Sequence, residues 1–333
     1  MLKFSITPYR LTSKYAFTLS LSLLLALSAL GQNPQVQVGK IERAVMVREA
    51  QIYISPDTNS SKLAVIERGR EVAMLEKGGG QWLHVLATIR EGGEQGDKTV
   101  TGWMVDKGVV RTSTPNGERI LFGEAVSSEV EAGRRGGRKG ADRDAMRLYY
   151  RTWEYFPASP LAGEALYRAA DIRWQLDRAD VFGRPSAKTN NPGDRLYGID
   201  EETMKQVKKK FPQSKWADLA DFNLLDNKLC GDWEGQSKCP NREAGLYEKY
   251  VEEHPQSPKL QEALYEAARR RAALIEIYLT ENEKLKSDES RQKALSLIQR
   301  ILTTNGQTDW AFRAQTLGYK IEQQIPTFGN LTE

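Results

Sequence analysis

The sequence predicts a multidomain chain: a small all-β barrel over residues 41–112, then an all-α solenoid over residues 142–322. Three observations predict it. Short runs of branched and aromatic residues, each closed by turn residues, crowd the first third of the chain. The last two thirds repeat one helix–turn–helix pattern four times. The length of 333 residues suits about two domains, and a composition of 28% charged and 40% hydrophobic residues excludes a polytopic membrane protein. Two cysteines are too few for a disulfide-built scaffold or an iron–sulfur protein.

Residues 1–31 read as an export signal. Lys3, Arg10 and Lys14 give a basic start without acids, and Tyr15 to Leu30 is an apolar run interrupted only by small hydroxyl residues. Ala29-Leu30-Gly31 places small side chains where a signal peptidase reads, so cleavage is expected before Gln32. A retained anchor would need a longer apolar span. Gln32 stands where a lipoprotein would carry its cysteine, so no lipid anchor is expected. The signal takes three of the 48 basic residues and none of the 44 acids, leaving 45 against 44. So balanced a chain has no overall electrostatic case for nucleic acid or an anionic membrane. The basic runs Lys208-Lys209-Lys210, Arg269-Arg270-Arg271 and Arg134 to Lys139 have acids nearby and read as solvated surface.

In the β region, strands are expected at 44–47, 51–54, 71–75, 82–87 and 100–105, separated by Ser55-Pro56-Asp57, Glu67-Arg68-Gly69, Gly78-Gly79-Gly80 and Glu91-Gly92-Gly93. Five close strands suit a barrel that removes its own sheet edges. The triple glycine lacks a following Gly-Lys-Ser/Thr helix and reads as a hairpin turn, not a phosphate loop. The stretch Ile52-Tyr53-Ile54-Ser55-Pro56-Asp57-Thr58 resembles the opening of the bacterial SH3-like family. So do Lys62-Leu63, Arg68-Gly69-Arg70-Glu71-Val72, Gln81-Trp82-Leu83-His84-Val85 and Thr101-Gly102-Trp103-Met104 after it. The arc before Pro56 is shorter than the family's and lacks its Arg-Ser-Gly. The resemblance implies an SH3-like barrel that binds wall peptides or partner proteins through exposed aromatics, with Tyr53 and Trp82 as the candidate ligand-binding residues. The other reading places Trp82 and Trp103 in the small core, and it is the favoured one for both.

Residues 113–141 carry Thr114-Pro115-Asn116-Gly117 and four glycines between Gly133 and Gly140, which predict a flexible linker with a short helical piece near 124–132. The repeat then begins. Phe156-Pro157-Ala158-Ser159-Pro160, Phe211-Pro212-Gln213-Ser214-Lys215, His254-Pro255-Gln256-Ser257-Pro258 and the degenerate Asn305-Gly306-Gln307-Thr308-Asp309 align. Eight residues before the Pro/Gly anchor stand Tyr149, Met204, Tyr247 and Ile298; four before stand Trp153, Lys208, Val251 and Leu302. That spacing is one helical face. The Ser/Thr/Asp residues after the turn are expected N-caps for a second helix. In that helix the anchor is followed at five by Ala162, Ala217, Leu260 and Ala311. At eight come Ala165, Ala220, Ala263 and Ala314, and at ten Tyr167, Phe222, Tyr265 and Thr316. Small residues let a neighbouring helix approach, and pairs burying one face each must stack.

The copy Phe156-Pro157-x-Ser159-Pro160-x-Ala162-x-x-Ala165-Leu166-Tyr167 resembles the tetratricopeptide superfamily. It is similar to the repeats of periplasmic members of the barrel-assembly lipoprotein and Tol-Pal-associated kinds. The resemblance implies a tetratricopeptide-like α-solenoid over 142–322. Anchor spacings of 55, 43 and 51 exceed the family's repeat, so insertions intervene. One is the long loop 180–200; the other holds Cys230 and Cys239, which in an exported protein are expected to form a disulfide.

No catalytic set emerges. His84 and His254 fall in different modules, and no nucleophile-elbow, zincin, Walker or dinucleotide motif is present. No metal site, cofactor or enzymatic activity is expected. The expected protein is a non-catalytic, exported scaffold or adaptor of the periplasm or cell envelope. It would bind an envelope protein partner through its repeats, with the SH3-like module as tether. The alternative is a peptidoglycan-binding accessory that recognises wall peptides through Tyr53 and Trp82. Tyr149, Trp153, Tyr247 and Tyr250 could serve core or groove, and core is the favoured role.

Overall fold

Seven antiparallel strands open the described chain: β1 (Glu42–Met46), β2 (Ala50–Tyr53), β3 (Lys62–Ile66), β4 (Glu71–Lys77), β5 (Trp82–Arg90), β6 (Asp97–Val105) and β7 (Val109–Arg111). The computed structural model describes residues 41–90, 97–183, 199–230 and 233–328. The expected signal, the turn at 91–93 and residues 184–198 of the long loop lie outside them. The strands pair in the order β3-β2-β6-β5-β4-β1-β7, so the hydrogen-bonded ladder has two ends. β3 nonetheless curls over to approach β5 across the core. The two strands beyond the expected five are β3 and β7. β3 lies at an edge with Lys62, Leu63 and Val65 exposed, which hides its alternation; β7 has three residues and is held by pairing Val110 with Val45.

Period-two alternation sorts the module's faces. Ile52, Ile66, Val72, Met74, Leu83, Val85 and Met104 turn inward and form its core. At Gly102 a Cβ would lie 2.6 Å from Ile52 Cγ2 and 2.7 Å from the Tyr53 carbonyl oxygen, so β2 can cross β6 closely only over glycine.

Nine helices follow among the described residues: α1 (Gly117–Ala132), α2 (Ala141–Tyr155), α3 (Ala162–Gly183), α4 (Glu202–Lys210), α5 (Lys215–Asn223), α6 (Lys238–Glu253), α7 (Leu260–Thr280), α8 (Lys284–Thr304) and α9 (Asp309–Glu322). The four anchors fall in the turns α2–α3, α4–α5, α6–α7 and α8–α9. Ala165, Ala220, Ala263 and Ala314 are all fully buried, and Tyr149, Met204, Tyr247 and Ile298 are buried facing them. Ser214 and Thr308 cap α5 and α9 by accepting the N–H groups of Ala217 and Ala311. The chain is therefore a β-sheet module followed by successive helix pairs.

The expected linker is a packed element. α1 sets Leu121 and Ala125 into one core with Ala145, Leu148 and Tyr149 of α2, and Phe122 meets the Tyr149 ring edge-on at 5.2 Å. The following glycines make a tight turn, with Gly136 and Gly140 at φ 76° and 82°. Val45 of β1 and Val110 of β7 belong to this same core, so the β module is fastened to the helices.

Polar contacts complete that seam. Arg147 of α2 donates to the Arg68 carbonyl at 3.0 Å and pairs with Glu67 at 3.2 Å. Glu71 accepts from Arg43 and from the Tyr155 hydroxyl. Burial pushes the Glu71 carboxyl up, but those two hydrogen bonds and the charge of Arg151 hold it below its ordinary value. Gly69, at φ +71°, lies directly on α2: a Cβ there would sit 2.6 Å from Arg147 Cβ.

Candidate functional site

Two surfaces concentrate recognition chemistry. The first is the outer face of the β module. Because Leu83, Val85 and Met104 point inward, their neighbours Trp82, His84 and Trp103 point outward and are half-buried. This overturns the favoured core reading of Trp82 and Trp103. Pairing aligns Tyr53 of β2 with Trp103 of β6, and Trp103 with His84 of β5. Tyr53 meets Trp82 edge to face with centroids 5.7 Å apart, and His84 stacks on Trp103 at 4.7 Å. The two predicted residues thus share one surface with His84 and Trp103. Such a row offers flat apolar area with polar edges at small entropic cost, suited to an extended peptide or the C–H face of a sugar.

The second surface is a groove between the first two helix pairs, with about 220 Å³ of space. Met146, Tyr150 and Ala169 give it an apolar lining; Arg147, Arg151, Arg173 and Thr203 complete it. Each arginine already has acids: Arg147 has Glu67 and Asp144, Arg151 has Glu71 and Glu154, and Arg173 has Asp200 at 2.7 Å. Burial, the largest influence on Arg147, lowers its pKa against the attraction of Glu67 and Asp144, although a guanidinium stays charged at neutral pH. The groove therefore presents aliphatic stems and neutralised heads rather than a free anion trap. Tyr150 stands edge-on to half-buried Trp153 at 5.3 Å, while Tyr149, Tyr247 and Tyr250 are core residues.

The remaining candidates have structural partners. Cys230 and Cys239 form a disulfide. Glu243, 2% exposed, accepts from the Cys230 N–H at 2.6 Å, the Trp233 indole at 3.3 Å and Arg270 at 2.7 Å, which pins the crosslinked loop to α7. His254 bonds Asp218 at 2.8 Å across two helix pairs, and the Ser257 hydroxyl is engaged by Tyr250 at 2.6 Å. Among the described residues no group of three His, Cys, Asp or Glu side chains could hold a metal ion, and no helix is long and apolar enough to cross a membrane.

Sequence reasoning found Tyr53 and Trp82 but did not join His84 and Trp103 to them. The signal was available in the alternation Trp82-Leu83-His84-Val85, whose apolar members already fill one face. The groove had no such signal, because its walls come from three helices. Compared with known proteins, the chain matches no protein-family model and no curated protein.

Proposed function

We propose that this protein is a non-catalytic, exported scaffold of the cell envelope that holds a protein partner along its helix pairs. In this reading the pairs form a tetratricopeptide-like solenoid and the β module is SH3-like. The observation that carries the reading is the groove of Met146, Tyr150, Ala169 and Thr203, apolar within and ringed by neutralised arginines, as a protein segment with mixed side chains requires. The disulfide supports an oxidising compartment, in keeping with the basic–apolar start of the sequence. The core shared by Val45, Val110 and α1–α2 supports a module that orients the groove rather than one that swings on a tether.

The test is a photo-crosslinking amino acid at Thr203, with the same label at exposed Gln292 as control. The reading expects one envelope protein captured from Thr203, and its loss on Met146→Lys with circular dichroism unchanged. Equal capture from both positions, or no effect of Met146→Lys, defeats it.

The row Tyr53, Trp82, His84 and Trp103 favours a second reading, in which the β module binds peptidoglycan. Sedimentation with purified sacculi tests it. Pelleting that is abolished by Tyr53→Ala with Trp82→Ala supports wall recognition, and a protein that stays in the supernatant refutes it.

A further inference from the structure

We propose that the outer face of α9 is a self-association surface on which two copies of this chain pack about a two-fold axis. The argument rests on the phase of the repeat. Positions six, nine, ten and thirteen after each anchor form one stripe of the second helix. In the first three pairs this stripe receives the next pair. Gly163 lies against Trp216 and Phe211, Tyr167 stacks on Trp216 at 5.7 Å, and Leu166 and Ala170 share a core with Met204 and Val207. Asp218 bonds His254, Phe222 meets Tyr250 at 5.3 Å, and Leu225 is buried with Tyr247. Gln261 bonds Thr308 at 2.7 Å, Tyr265 meets Trp310 at 5.5 Å, and Leu264 and Ala268 are buried.

In the last pair the same four positions are Phe312, Gln315, Thr316 and Tyr319, and all four are exposed, Phe312 by 51% and Tyr319 by 59%. A terminal repeat needs a polar outer face to stay dissolved by itself. Here two rings occupy it. Among the described residues nothing after α9 returns to this stripe: Thr327 bonds Glu276 of α7 at 3.3 Å and Phe328 packs on Trp233 at 5.4 Å.

A second copy cannot repeat the earlier junctions as a fifth pair, because the front of its first pair is already covered by α1. Phe122 sits on Tyr149, and a Cβ at Gly117 would fall 2.5 Å from Phe156. A second copy can offer its own α9, which is self-complementary when antiparallel. Alignment about the midpoint of Gln315 and Thr316 sets Phe312 against Tyr319 of the second copy, twice, and Gln315 beside Thr316. Asp309 and Lys320 lie eleven residues apart, about three turns, hence on one flank. The same alignment brings each Asp309 within reach of Lys320 of the second copy. One helix face is well short of the roughly 800 Å² per partner of a standard interface, so association is weak and appears as concentration rises.

Sedimentation velocity on the full chain, from low micromolar to sub-millimolar concentration, tests this. The expected result is a rise toward the dimer value that Phe312→Glu with Tyr319→Glu abolishes. Asp309→Lys should weaken association at least several-fold, and Asp309→Lys combined with Lys320→Asp should restore it. Circular dichroism confirms that each variant is folded. A wild type that remains monomeric throughout overturns the proposal, as does a dimer indifferent to the Phe312 and Tyr319 changes. Failure of the charge swap to rescue overturns the two-fold register.

Discussion

Replacing Gly69 by alanine tests whether the β module is seated on α2. Gly69 has φ +71°, and the added methyl would lie 2.6 Å from Arg147 Cβ and 3.1 Å from the Leu148 backbone nitrogen. Neither atom belongs to a movable side-chain end; both are part of a helix whose other side is buried. The positive φ costs about 1–2 kcal/mol for a residue with a Cβ, partly offset by about 0.4–1 kcal/mol from a stiffer unfolded chain. Overpacking adds about 1–3 kcal/mol. The expected net loss is about 2–3 kcal/mol, of which the clash is the larger part. Two neighbours separate the causes. Gly80 has φ +68° but open space around its Cβ position, so Gly80→Ala reports the backbone cost alone, under about 1 kcal/mol. Gly79 has neither constraint, and Gly79→Ala should leave stability nearly unchanged. Urea unfolding followed by circular dichroism and tryptophan fluorescence measures all three. Equal losses for Gly69→Ala and Gly80→Ala would refute the seating of Gly69 on α2, and with it the claim that the module is fixed in orientation.

Alkali should unfold the helix pairs through their buried phenols. Burial, foremost, raises the pKa of Tyr149, Tyr155, Tyr167 and Tyr250, and pushes Tyr247 up to about 12. A raised phenol stabilises the fold fully below its unfolded pKa near 10, and that stability is lost as pH climbs toward the folded value. Ultraviolet titration should therefore show these tyrosines ionising together with the loss of helical signal; reversible ionisation near pH 10 in a folded protein would contradict it. At the acid end, Glu71, held below its ordinary pKa, contributes stability that is present above the unfolded carboxylate pKa and lost as pH falls through the folded one. Glu71→Gln should flatten that acid limb, and an unchanged limb counts against the seam. Cys239→Ser should cost about 2.7 kcal/mol for a loop of about ten residues, measured as a lower urea midpoint than that of the oxidised wild type. Ser214→Ala and Thr308→Ala should each cost about 1 kcal/mol, and values near zero at both would show that the two hydroxyls do not cap.

The order of the chain is written in local chemistry. The turn-bounded runs between Ile41 and Thr112 carry a sheet, and the four Pro/Gly anchors fall in the four turns of the helix pairs, because a turn and its flanking helical faces are specified by neighbouring residues. The pairing of Cys230 with Cys239 follows from closeness in sequence as much as in space. Tertiary structure decided the rest. β7 exists because Val45 offers it a partner, and 113–141 is packed because Leu121 and Phe122 find Leu148 and Tyr149. Glycine content signals conformational freedom, but whether that freedom is spent on a hinge or on a tight turn depends on what waits on either side. The groove of Met146, Tyr150 and Thr203 and the uncovered stripe of α9 belong to that second class. Each is defined by which helix stands next to it or, among the described residues, by none standing there, and adjacency between distant segments is settled only when the whole chain packs.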